Sequence, residues 1–178
     1  MASAGFAGTD AVGRPRSLLI VRNHVQEALS DKDAVLVVDE TGFLKKDRRL
    51  GVGCQYIGAA GKITNCQIGM FVTYVSLCGH AFVDRAPYLS KAWSTDPVRL
   101  ISASVPKSRT FTTTPTLARE VIERSLYSGL PFEWVIANSV YGVDEIEMSL
   151  HHAAKGYVLD VAGSHGFNFW GLGKDRLQ

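Results

Sequence analysis

The chain reads as an α/β protein, a mixed sheet of one antiparallel hairpin plus parallel strands flanked by helices. Three observations predict it. A short β-branched run, Ala34-Val35-Leu36-Val37-Val38, has the look of a strand buried on both faces. Two adjoining β-rich stretches follow, joined by Leu77-Cys78-Gly79 in the manner of a hairpin. Two helical stripes then alternate with two further short apolar runs. The order strand, hairpin, helix, strand, helix, strand builds a mixed sheet with the first strand at its centre.

Each element has its own signal. Residues 1–16 form an arm, rich in Gly and Ala up to Pro15 and without periodicity. Leu18, Val21, Val25 and Leu29 trace one face of a helix that Ser30-Asp31-Lys32-Asp33 ends. The first strand spans Ala34 to Asp39, and Lys45-Lys46-Asp47-Arg48-Arg49 makes a basic turn. Gly51 to Gly61 carries four glycines, but Tyr56 stands where a G-x-G-x-x-G would need its last Gly and no helix follows. The stretch is a connection rather than a phosphate cradle. Gln67–Ser76 and His80–Leu89 form the hairpin, and the chain is loop-like from Trp93 to Pro115. Thr114-Pro115 opens a helix with Leu117, Val121 and the Ser125/Leu126 turn on its buried face, closed by Gly129. Phe132–Ala137 is the next strand. Asp144 opens a helix with Ile146, Leu150 and Ala153 inward and Gly156 as its stop, and Tyr157–Ala162 is the last strand.

Composition narrows the class without naming it. A chain of 178 residues, 46% apolar and 20% charged, suits a single domain with a proper core. Nineteen basic against 17 acidic residues give +2, too mild to argue nucleic-acid binding from charge alone. Cys54, Cys66 and Cys78 form no close pair, which suits free thiols in a reducing compartment. No apolar run is long enough for a secretory core or a membrane span, so the expected location is the cytoplasm.

The chemistry concentrates where the first strand ends on Asp39 and Glu40. Buried charge is costly unless it is paired or binds a metal. The first and fourth strands can lie side by side, which brings Asp39 to Asn138 at their carboxyl ends, where ligands of open α/β sheets bind. Two hard-oxygen side chains converging there suit Mg²⁺. A carboxylate that merely faces water at a strand end fits the residues equally well. A phosphatase with a second Asp two residues on is disfavoured by Thr41. The cysteine spacings, with or without His80, match no zinc finger or ribbon. His151-His152 points in two directions from a helix and reads as surface. Trp93, Trp134 and Trp170 could stack on bases, although Trp134 opens an apolar strand and reads as core. Lys45, Lys46, Arg48 and Arg49 suit DNA phosphates about as well as they suit a solvated turn.

A resemblance decides between these readings. Val37-Val38-Asp39-Glu40-Thr41-Gly42-Phe43-Leu44-Lys45-Lys46 resembles the first acidic motif of bacterial insertion-sequence transposases of the DDE superfamily. Further stretches are similar to that family in the same order: Cys54-Gln55-Tyr56, Gly79-His80-Ala81, Asp84-Arg85-Ala86 with Tyr88-Leu89, Lys91-Ala92-Trp93 and Pro115 to Ile122. Trp134-Val135 with Val140-Tyr141-Gly142 and Lys155 to Leu159 complete the series. The resemblance implies an RNase H-like fold over residues 17–164, followed by a tail at 165–178. It also implies metal-dependent cleavage and strand transfer on DNA, with insertion-sequence ends and target DNA as partners and no membrane. The implied cofactor is Mg²⁺ or Mn²⁺, as a pair of ions held by two Asp and a Glu. Asp39 fits the first acid. At the second, this chain has Asn138, which retains one oxygen ligand but lacks the charge. The third would lie beyond Gln178. The expectation is therefore a truncated, catalytically incomplete domain, cytoplasmic and on the nucleoid when DNA-bound, with weak metal binding at Asp39 and Asn138. It would also expose apolar surface and self-associate. The alternative is a non-catalytic DNA-binding or subunit-interaction remnant.

Overall fold

The computed structural model describes residues 16–46, 51–103, 105, 110–138, 141 and 144–160. Helix α1 (Arg16–Ala28) leads into β1 (Val35–Leu44), β2 (Gly53–Ile57), a 3-10 turn (Gly58–Ala60), β3 (Lys62–Ser76) and β4 (Gly79–Pro87). Two short helices, α2 (Lys91–Ser94) and α3 (Pro97–Ser102), precede α4 (Thr114–Leu126), β5 (Trp134–Ala137), α5 (Asp144–His152) and β6 (Gly156–Leu159). The predicted mixed sheet is present and RNase H-like. β1 is central, antiparallel to β3 and parallel to β5, which is itself parallel to β6. β3 carries β4 along its second half and β2 along its first.

Helices α1, α4 and α5 pack on one sheet face. Val25 of α1, Leu117, Val121 and Ile122 of α4, and Ile146 and Leu150 of α5 close over Leu36, Val38, Met70, Val72, Tyr74 and Val135. The β4 register slips between Val72 and Thr73, leaving Val83 as the extra residue of a bulge. A bulge re-aims side chains, and here the successive residues Val83 and Asp84 are both buried. Asp84 is neutralised from two helices. Arg22 of α1 donates to its Oδ2 at 3.1 Å, and Arg124 of α4 donates to Oδ2 at 2.9 Å and to Oδ1 at 3.2 Å.

Several sequence expectations are corrected. β1 does not stop at Asp39 but runs five residues further, and β3 begins at Lys62 rather than Gln67. The stretch Gly51–Gly61 contains a strand, and the loop-like stretch after Trp93 contains α3 and follows directly on α2. On α1 the inward position falls to Arg22, because Asp84 lies beneath it, and Val21 is 36% exposed. α5 is stopped by Ala154 at φ 52° rather than by Gly156, which starts β6. Trp134 is 46% exposed rather than core. Arg16, the last residue of the expected arm, opens α1, while residues 1–15, the tail, Arg48, Arg49 and Trp170 lie outside the described residues.

Candidate active site at the carboxyl edge of the sheet

The β1–β5 ladder ends at Val38 and Ala137, so Asp39 and Asn138 are the first residues beyond it on neighbouring parallel strands. The geometry brings them into contact. The Asn138 Nδ2 donates to Asp39 Oδ1 at 3.2 Å, and the Glu40 backbone N–H donates to the same oxygen at 2.8 Å. Both residues are exposed, so a polar strand end at this point costs little in desolvation.

Glu40 belongs to the other face. The pleat alternates side chains, and Glu40 follows Leu36 and Val38 on the core side, half-buried. There it accepts a hydrogen bond from the Tyr141 hydroxyl at 3.2 Å. Tyr141 is completely buried, and its backbone N–H donates to the Asn138 carbonyl at 3.0 Å. Asn138 thus sits at the mouth with Tyr141 bonded to it from beneath. Burial first, and then the charges of Glu40 and Asp39 with the Glu40 hydrogen bond, push the Tyr141 phenol well above the ordinary tyrosine range. It is a fixed neutral donor.

Past Asp39, β1 leaves β5 behind and continues with β3 and β2 as a three-stranded antiparallel ribbon. The ribbon curls over the site. At Gly42 an added Cβ would stand 2.9 Å from two Ile57 side-chain carbons, so only glycine lets the β2 end cross β1 this closely. Between ribbon and strand ends lies a cleft of about 350 Å³ lined by Asp39, Glu40, Asn138, Tyr56, Ile57 and Ile68, among others.

Lys45 and Lys46 extend beyond the cleft at the end of β1, both exposed. The Lys45 backbone is pinned, donating to the Asn65 carbonyl at 3.1 Å and accepting from Asn65 Nδ2 at 2.8 Å. The remaining candidates separate from the site. Trp93 is buried and donates its indole N–H to the Val52 carbonyl at 2.8 Å, while His80, His151 and His152 are exposed. Cys66 is buried, Cys54 and Cys78 are exposed, and all three are free. Among the described residues no group of three His, Cys, Asp or Glu is arranged to hold a metal ion, and no helix is long and apolar enough to cross a membrane.

Two neighbours of the site escaped the sequence reading. Tyr141 lies in the stretch Val140-Tyr141-Gly142, but the sequence does not show its role as the Glu40 donor. Its signal was the three-residue spacing from Asn138, which is that of a turn. Asp160 follows β6 directly, and its N–H donates to the Ala137 carbonyl at 3.1 Å. It adds an exposed carboxylate to the same sheet edge.

A family model described as a DDE superfamily endonuclease matches residues 15–167. No curated protein and no solved structure matches the chain. The match spans most of the chain and takes in the sheet, the carboxyl-edge pair and the ribbon, and the chain accordingly belongs to the DDE superfamily endonuclease family.

Proposed function

We propose that this chain is a transposase-derived domain that binds DNA but does not cut it by itself. Family membership implies transposase-related DNA cleavage and a DNA substrate. One observation carries the proposal of inactivity: the residue in contact with Asp39 at the neighbouring strand end is Asn138, an uncharged amide where the second acid of the family would stand.

The divalent cations that the family uses do not fit these residues as a pair. Mg²⁺ gives up its waters reluctantly and is retained by charge. Here Asp39 and Asn138 together offer one formal charge, with one Asp39 oxygen already accepting two N–H groups, and the exposed Asp160 on the same sheet edge completes no group of three metal ligands with them among the described residues. Glu40 also lines the cleft, but one of its carboxylate oxygens is engaged by the Tyr141 hydroxyl. Asp39 and Asn138 would hold a single Mg²⁺ or Mn²⁺ weakly. Lys45 and Lys46, with Arg48 and Arg49 next in the sequence, contact DNA phosphates at insertion-sequence ends and target DNA, where binding falls as salt rises. Self-association through exposed apolar sheet residues is the second part of the proposal, and the exposure of Trp134, Ile136 and Val158 favours it.

The test is nicking of supercoiled DNA with Mg²⁺ or Mn²⁺ beside an Asp39→Ala control, with metal affinity measured by calorimetry. No nicking above the control is expected, and Mg²⁺ affinity should be no tighter than roughly millimolar. Asn138→Asp should tighten metal binding without restoring cleavage. Cleavage that vanishes in the control would refute inactivity.

A further inference from the structure

The described part of the ribbon carries more positive charge than the whole molecule. Residues 41–46 and 51–70 hold Lys45, Lys46 and Lys62 and no Asp or Glu, whereas the entire chain has a surplus of only two. The remainder of the protein is therefore net acidic. In the described part of the ribbon Lys45, Lys46 and Lys62 are all exposed, and no Asp or Glu accompanies them between Thr41 and Met70 apart from Asp47.

The same ribbon displays apolar surface where a soluble protein would place polar residues. Tyr56 and Ile63 face each other across β2 and β3 and are 62% and 68% exposed. Tyr56 also lines the cleft beside Asp39 and Asn138. An aromatic ring at the mouth of a cleft, on an arm of unopposed lysines, combines the two features that hold an unpaired nucleotide: a π-face for the base and cations for its phosphates.

Resting on the DNA reading above, we infer that the β2–β3 ribbon is a docking arm for an unpaired nucleotide of the strand entering the cleft. Tyr56 stacks on its base and Ile63 backs the ring, while the exposed lysines of the ribbon, Lys62 among them, attract the flanking phosphates. The arm selects DNA whose end is frayed or distorted at the site, because a base held in a duplex stack offers Tyr56 no face.

Fluorescence anisotropy with a labelled duplex, fully paired or with mismatched terminal pairs, tests this with the full chain. Tyr56→Ala should weaken binding to the frayed duplex roughly ten-fold and leave the paired duplex unchanged. Tyr56→Phe should bind as the unmodified chain does. Tyr56→Leu, which keeps apolar bulk against Ile63, should behave as Tyr56→Ala. Lys62→Ala should weaken both duplexes alike and lower the salt slope by about one. Matching thermal midpoints establish that each variant is folded, and the exposure of Tyr56 makes it tolerant of change. Tyr56→Ala affecting both duplexes equally or neither, or Tyr56→Leu retaining the preference for frayed ends, overturns the stacking role alone. Absence of binding to either duplex overturns the DNA reading and this inference together.

Discussion

Asp39 and Glu40 are adjacent in β1, yet the pleat sends one to solvent beside Asn138 and the other inward to Tyr141. The inward pair has a measurable consequence. Burial, then Glu40 and Asp39, raise the Tyr141 phenol above its ordinary value, whereas in the unfolded chain it ionises near pH 10. Below that pH both states are protonated, and the stabilisation is fully present. Above it the unfolded chain releases a proton that the folded chain retains, so stability falls by about 1.4 kcal/mol per pH unit. Tyr74, raised mainly by burial, adds a slope of the same sign. Tyr141→Phe should remove one of these two slopes and cost about 1 kcal/mol at neutral pH through the lost hydrogen bond. Urea denaturation from about pH 8 to about pH 11 measures both, and an unchanged alkaline slope would refute the assignment. At this scale Asp39 and Asn138 were legible because each follows directly on a short apolar run. Arg22 and Asp84 were not: their pairing depends on a one-residue bulge in β4, and a charge on a helix stripe reads as solvated until its buried partner is known.

Elements were legible where periodicity ran uninterrupted and illegible where glycine or proline interrupted it. The sequence ends β1 at Asp39, but the strand continues through Gly42, where Ile57 crosses it, so the glycine marks a close approach rather than a stop. Pro97 and Pro106 made the stretch after Trp93 look like loop, although Pro97 opens α3 behind the Asp96 cap. At the end of α5 the expected glycine is missing. The Ala154 N–H donates to His151 and the Lys155 N–H to Leu150, both at 3.0 Å, as in a Schellman motif with alanine in the left-handed position. A non-glycine residue there carries a cost of about 1–2 kcal/mol, partly offset by the greater unfolded freedom of glycine. Ala154→Gly should therefore stabilise the domain by up to about 1 kcal/mol. Calorimetry should record a rise of about 2–4 °C in Tm, and a fall would show that Ala154 is not strained.

At the scale of the whole molecule, the described helices that bury the core do so on one face of the sheet, and the two faces differ sharply. Along β5 the inward residues Val135 and Ala137 are buried, while Trp134 and Ile136 on the outward side are 46% and 40% exposed. Val158 of β6 continues the same side at 57%, opposite Ile136. Trp134 lies so close over Gly156 that an added Cβ would stand 2.5 Å from its ring, which holds the indole flat and extends the apolar surface across both strands. Clustered apolar side chains of this kind drive association, and β6 adds a short strand edge able to pair with another chain. The expected behaviour is reversible self-association that strengthens with salt, because apolar contacts survive screening of the net positive charge. DNA binding through the ribbon should weaken under the same change, so salt separates the two surfaces. Ile136→Thr with Val158→Thr keeps β-branched residues in both strands while reducing the patch. Sedimentation velocity on this double variant should show a shift toward monomer, with affinity for DNA unchanged at low salt. A wild-type chain that sediments as a monodisperse monomer at high concentration and high salt would sink the argument.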